Sequence, residues 1–143
     1  MKKNILILIT LLLASVNTVW GQNICKVGDT EYATIQAAID AIAQLQTPTG
    51  TITLTADVTD GAGFGSFLAS DNHSPAHPNT LTVTIDFNGH NYEFGKDFVG
   101  SSNTPHQCMH FETPHTFTLT NNSNNPATLS VKSGATENNP RMM

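Results

Sequence analysis

Four stretches of the chain alternate a hydroxyl residue with an apolar one: Thr51-Ile52-Thr53-Leu54-Thr55, Thr80-Leu81-Thr82-Val83-Thr84-Ile85, Thr116-Phe117-Thr118-Leu119-Thr120 and the shorter Thr128-Leu129-Ser130-Val131. A period of two is that of a β-strand, whose successive side chains point to opposite faces. Each stretch is therefore predicted to be a strand with one apolar and one hydroxyl face. Turn signals follow them, at Asp60-Gly61, at Asn88-Gly89 and from Asn121 to Pro126. With Ile52, Val83 and Phe117 set level, Leu54, Ile85 and Leu119 align, as do Thr53, Thr84 and Thr118. Asp57, Asn88 and Asn122 then meet at the turns, and the first step between segments is shorter than the second. Repetition on this scale predicts stacked units that bury their apolar faces against one another.

One segment departs from the period of two. Thr34 is placed to cap a helix, and Ile35, Ala38, Ile39, Ile42 and Leu45 follow at the spacing of one apolar helical face. Alanines at 37, 41 and 43 favour the helix, and Thr47-Pro48-Thr49-Gly50 stops it. Two intervening stretches, Gly61 to Asn79 and Gly95 to Pro114, are rich in Gly, Ser, Pro and His and read as loops. Within the second, Cys108-Met109-His110-Phe111 can add a short strand.

The segment from Met1 to Gly21 reads as an address. Lys2 and Lys3 precede an apolar run from Ile5 to Ala14, and Val19-Trp20-Gly21 closes it, the order of a secretory signal peptide. The run is too short to span a bilayer, and no later one approaches ~20 apolar residues, so no membrane span is expected in the mature chain. Cleavage after Gly21 removes two of six Lys and Arg and leaves four against eleven Asp and Glu. So few cations argue against a nucleic-acid partner. Cys25 stands close behind the leader, but Ile24 before it is too bulky for a lipid-attachment site. Cys25 and Cys108 are the two cysteines; in an exported protein they either bridge, worth about 4 kcal/mol for so long a loop, or stay as two buried thiols.

Gly28-Asp29-Thr30-Glu31-Tyr32-Ala33-Thr34-Ile35-Gln36-Ala37-Ala38-Ile39-Asp40, followed by Gly50-Thr51-Ile52-Thr53-Leu54, resembles the entry to right-handed parallel β-helices of the pectin-lyase-like superfamily. Ile85-Asp86-Phe87-Asn88-Gly89-His90 resembles the strand-turn segment of its repetitive bacterial cell-surface members. The resemblance spans roughly residues 26 to 134. It implies an all-β fold, a short or truncated right-handed parallel β-helix with an N-terminal amphipathic capping helix. The expected division is 1–21 signal peptide, 22–50 N-terminal segment and capping helix, 51–134 coils and 135–143 polar tail. With no second cap in the sequence, the expectation is either a leading piece of a longer solenoid or edge-to-edge self-association.

The superfamily includes polysaccharide lyases and hydrolases, which sets one candidate chemistry. Lyases there use acidic residues to hold calcium and a basic residue to abstract a proton. The basic residues are Lys26, Lys96, Lys132 and Arg141, and the acids Asp57, Asp60, Asp71, Asp86 and Asp97 form no close cluster. Asp57 and Asp86 could serve as paired carboxylates, but solvated turn residues are the plainer reading. His106, Cys108 and His110 alternate as if on one strand face, with His73, His77 or His115 near, so His106 and His110 are the metal candidates. Their spacing matches no strong zinc pattern, and loop histidines are the plainer reading. Thr53, Thr84 and Thr118 are the ligand-binding candidates, a hydroxyl and methyl ladder of the kind some ice-binding proteins present. The unequal steps between these threonines weigh against ice. No cofactor is expected. The functional expectation is an exported, non-catalytic module at the cell surface that adheres to carbohydrate or other extracellular material, with a polysaccharide lyase or hydrolase and an ice-binding threonine array as alternatives.

Overall fold

The computed structural model describes residues 21–67, 77, 80–101 and 104–135. The leader before Gly21, the tail from 136, Asp71 and His73 lie outside them.

Thr34 is extended (φ −144°, ψ 152°), and its Oγ1 accepts from the Ala37 N–H at 3.0 Å. That cap starts helix α1, Ile35–Ala43. Ile35, Ala38, Ile39, Ile42 and Ala43 are buried. The helix ends one turn before the expected stop, where Gln44 and Leu45 donate back to Ala41 and Ile42, and Leu45 is left 47% exposed.

Strand β1 (Cys25–Val27) turns at Gly28 (φ 56°) into β2 (Thr30–Tyr32). This hairpin lies against β3 (Thr49–Leu54) with β1 antiparallel to it. Strands β6 (Thr82–Asp86) and β11 (Thr116–Thr120) continue the same sheet in parallel, giving the order β11-β6-β3-β1-β2. A second sheet, order β12-β7-β4, is built from β4 (Val58–Ala62), β7 (Tyr92–Lys96) and β12 (Leu129–Val131). Strands β5 (Phe64–Ser66) and β10 (Met109–Phe111) form a parallel pair, and β8 (Val99–Ser101) and β9 (Thr104–Gln107) an antiparallel one.

The sheets enclose a core of Ile52, Leu54, Phe64, Leu81, Val83, Ile85, Tyr92 and Phe94, closed at one end by α1. Tyr92 lies edge-on to Phe64 (5.8 Å, 89°), and its hydroxyl donates to the Ala62 carbonyl at 2.7 Å. Gly61 faces that ring so closely that any Cβ would enter it. The β5 edge is finished by a side chain. Gln36 of α1 accepts from the Gly65 N–H at 2.8 Å and donates to the Gly65 carbonyl at 3.1 Å, as a neighbouring strand would.

The expectation of a right-handed parallel β-helix is corrected by this topology. The strands fall into four separate small sheets, one mixed, two parallel and one antiparallel, and no closed solenoid is present among the described residues. The reason lies in the connections. In the first sheet Ile52 pairs with Ile85 and Ile85 with Leu119, two steps of nearly the same length. Between β5 and β10 the step from Phe64 to Met109 is about a third longer. The steps in these two sheets therefore do not share one repeat. The antiparallel β1–β2 and β8–β9 hairpins break the one-way winding as well.

Other expectations are corrected in detail. Asp60-Gly61 lies inside β4 and is not a turn. Asn88-Gly89 is one: both take positive φ (49° and 80°), and His90 N–H donates to the Phe87 carbonyl at 2.8 Å. The two stretches expected as loops hold β4, β5, β7, β8, β9 and β10 between them in whole or part. Among the described residues, no helix is long and apolar enough to cross a membrane.

Candidate functional site

Strand alternation and register together produce one ordered surface. In β3, β6 and β11 the inward residues include Ile52, Val83 and Ile85, so the threonines between them face outward. Thr49 pairs with Thr82 and Thr82 with Thr116, giving a first row. Thr51, Thr84 and Thr118 form a second, and Thr53, Asp86 and Thr120 a third. Neighbouring strands stand about 4.8 Å apart and alternate residues about 6.6 Å apart, so hydroxyls and methyls fall on a regular lattice. Lys26 and Glu31 of the β1–β2 hairpin extend the third row.

In the candidate ladder Thr53, Thr84, Thr118 the register differs from the expected one by two residues at β3. Thr84 and Thr118 are partners as expected, but Thr51 completes their row, while Thr53 stands beside Asp86.

Asp86 holds the turns beneath this face. Its carboxylate accepts from the Asn88 N–H (2.9 Å), the Asn122 N–H (3.0 Å) and the Asn122 side-chain amide (3.0 Å). Burial pushes its pKa up, but these three donors outweigh that and hold it below the ordinary carboxylate range. Other turn side chains work in the same way across the layers. Asn88 donates to the Leu54 carbonyl, Gly89 N–H to Asn121, and Thr128 N–H to Asn91. Exposed Asp57 accepts from the Asn91 N–H and the His90 ring, and the backbone bond leads in lowering its pKa. Neither carboxylate of the expected Asp57/Asp86 pair is idle, since each holds backbone N–H groups of another strand-turn unit.

Two of the basic residues are similarly occupied. Lys132 and Lys96 both reach Asp60, at 2.9 and 3.7 Å. Beside them a groove of about 340 Å³ has Val58 among the polar side chains of Asp57, Thr59, Asn91, Glu93, Thr128 and Ser130.

The histidine candidates are separated by the backbone. The strand is interrupted at Cys108, so His106 belongs to β9 and His110 to β10, and His106 adopts φ 67°. The alternation expected for a single strand does not exist there. His110 contacts Gln107 Oε1 through Nδ1 and Glu112 Oε1 through Nε2 (2.9 Å). No group of three or more His, Cys, Asp or Glu among the described residues is placed to hold a metal ion. Cys25 and Cys108 are buried, unbridged thiols, and burial pushes Cys25 up to about 12 and raises Cys108 as well.

One cluster has no counterpart in the sequence reading. His77 is 1% exposed; its Nδ1 accepts from Phe67 N–H at 3.4 Å, and its Nε2 meets Asp40 of α1 at 3.0 Å. His115 lies edge-on to it (6.3 Å), and its Nδ1 accepts from Leu81 N–H at 3.0 Å. Burial and the neighbouring His77 lower the His115 pKa. Both rings are fastened as acceptors of backbone N–H groups, which makes them clamps. Nothing in the spacing of residues 40, 77 and 115 signals that they meet.

No protein-family model matches the chain, and no curated protein or solved structure matches it. The resemblance to the pectin-lyase-like superfamily thus has neither a matching family nor the expected solenoid behind it.

Proposed function

We propose that the protein is an exported adhesion module that binds carbohydrate or another extracellular surface through the threonine face of its five-stranded sheet. The observation behind this reading is the register of the three rows Thr49–Thr82–Thr116, Thr51–Thr84–Thr118 and Thr53–Asp86–Thr120. A repeating ligand, such as a polysaccharide chain or its packed surface, meets repeating hydroxyl donors and acceptors at matching intervals. The groove beside Asn91 and Thr128 offers more hydrogen-bonding side chains. Export rests on the leader, whose removal would leave Gln22 as the first residue.

Retention of the purified protein on insoluble polysaccharides and on a glycan array tests the reading. Retention on at least one carbohydrate, weakened by lysines in the threonine rows, is expected; uniform non-retention would overturn it.

The register favours a second reading. The steps from Ile52 to Ile85 and from Ile85 to Leu119 are nearly equal, which removes the irregularity that counted against an ice-binding array. Enrichment in a growing ice fraction, with no carbohydrate retention, would select it.

A further inference from the structure

The two ends of the sheets are finished differently. At one end α1 lays Ile35, Ile39 and Ile42 over the core, and Gln36 occupies the β5 edge. At the other end β10, β11 and β12 each pair on one side only among the described residues. The backbone of β11 is held to β6 through groups such as Thr116 N–H on Leu81 O and Thr120 O on Phe87 N–H. By the alternation of a parallel ladder, the N–H and C=O groups of Phe117 and Leu119 point away from β6. Unpaired strand edges of this kind are templates for another strand.

The same layer is apolar. Leu119 is 42% and Phe111 36% exposed, Phe111 stacks on Phe117 at 4.2 Å, and Leu129 and Val131 are half-buried. A hollow of about 320 Å³ opens between Phe87, Leu119, Ala127 and Leu129.

Charge indicates what covers it. The chain has a formal net charge of −5, yet between residues 104 and 135 the only acidic residue is Glu112 and the only Lys or Arg is Lys132. Glu112 is engaged by His110 and Lys132 by Asp60. The chain as a whole is acidic and repels its own copies, and this layer adds no net charge to a contact between them.

We infer that the covering partner is a second copy of the chain, joined by antiparallel pairing of β11 with β11 of its twin. A two-fold axis perpendicular to the sheet makes that contact self-complementary. It also keeps both threonine faces on the same side, so three threonine strands become six. The inference stands on the edge and its charge, and it holds whatever the face binds.

Sedimentation equilibrium of the full mature chain from 1 to 200 µM is the test, with Leu119→Lys and Leu45→Lys compared at each concentration. The expected result is a mass approaching twice that of the chain, loss of that dimer in Leu119→Lys with unchanged circular dichroism, and its retention in Leu45→Lys, whose exposed leucine lies near the capped end. A native protein that stays monomeric at 200 µM would overturn the inference. So would a dimer of undiminished affinity in folded Leu119→Lys.

Discussion

Asp86 is the residue on which the turns depend. It is 7% exposed and satisfies three donors, two of them on Asn122, which lies one strand-turn unit further along. Asp86→Ala removes the charged acceptor that ties Asn88 and Asn122 together, so a loss of about 1–3 kcal/mol in urea unfolding is expected. His115 and Asp86 act at different pH. His115 has a lowered pKa, so the unfolded chain binds its proton first, and stability falls as pH drops below about 6.5. Asp86 is also lowered, so its contribution is full above about pH 4 and is lost only as pH falls further, through its folded pKa. Unfolding free energies from pH 7.5 to 3 should therefore decline in two stages, and His115→Gln should remove the upper one. An unchanged upper stage in that variant would contradict the assignment. The thiols give a third check. Cys25 and Cys108 should resist iodoacetamide in the folded protein and react in urea, whereas a bridged mass would contradict their unbridged state.

Among the elements, α1 and the strands β3, β6 and β11 were legible because a period of 3.6 or of two runs through each without interruption. Their register was not. A Thr-x-Thr pattern matches itself when slid by two, so level pairing of Ile52 with Val83 scores as well as the true pairing with Ile85. Strands β4, β5 and β7 were hidden for a different reason. Gly61 yields to the Tyr92 ring, Gly65 to the His110 backbone and Gly95 to Asp60, so glycines that look like turn signals are places of close approach. Gly61→Ala should accordingly be badly tolerated, visible as a lowered Tm, although the substitution raises β-propensity. The cap can be weighed separately. Ile39→Ala, at 0% exposure under the helix, should cost about 2–5 kcal/mol, while Gln36→Ala should cost only about 1 kcal/mol and speed amide exchange at Gly65. Equal effects of the two variants would mean that the helix does not carry its load by burial.

For the whole molecule, the low charge and the Thr and Asn content acquire a structural meaning. Threonines fill the outward rows of three strands, and asparagines bond one layer to the next at the turns. The clamp of His77 on Asp40 and the charge-poor open layer remained illegible, since both depend on which distant segments meet. Among the described residues the outward face of the five-stranded sheet is thus a hydroxyl lattice, bounded at one edge by the charged β1–β2 hairpin and unpaired at β11 on the other. The measurement that bears most directly on it is retention on insoluble polysaccharide, comparing the native protein with a Thr51→Lys, Thr116→Lys, Thr118→Lys triple variant and a Thr47→Lys control. All three substituted threonines are exposed, so circular dichroism should stay unchanged. A loss of tenfold or more in the triple variant, with the control at the native level, is the expected result; a folded triple variant retained as well as the native protein would contradict the assignment of binding to the threonine face.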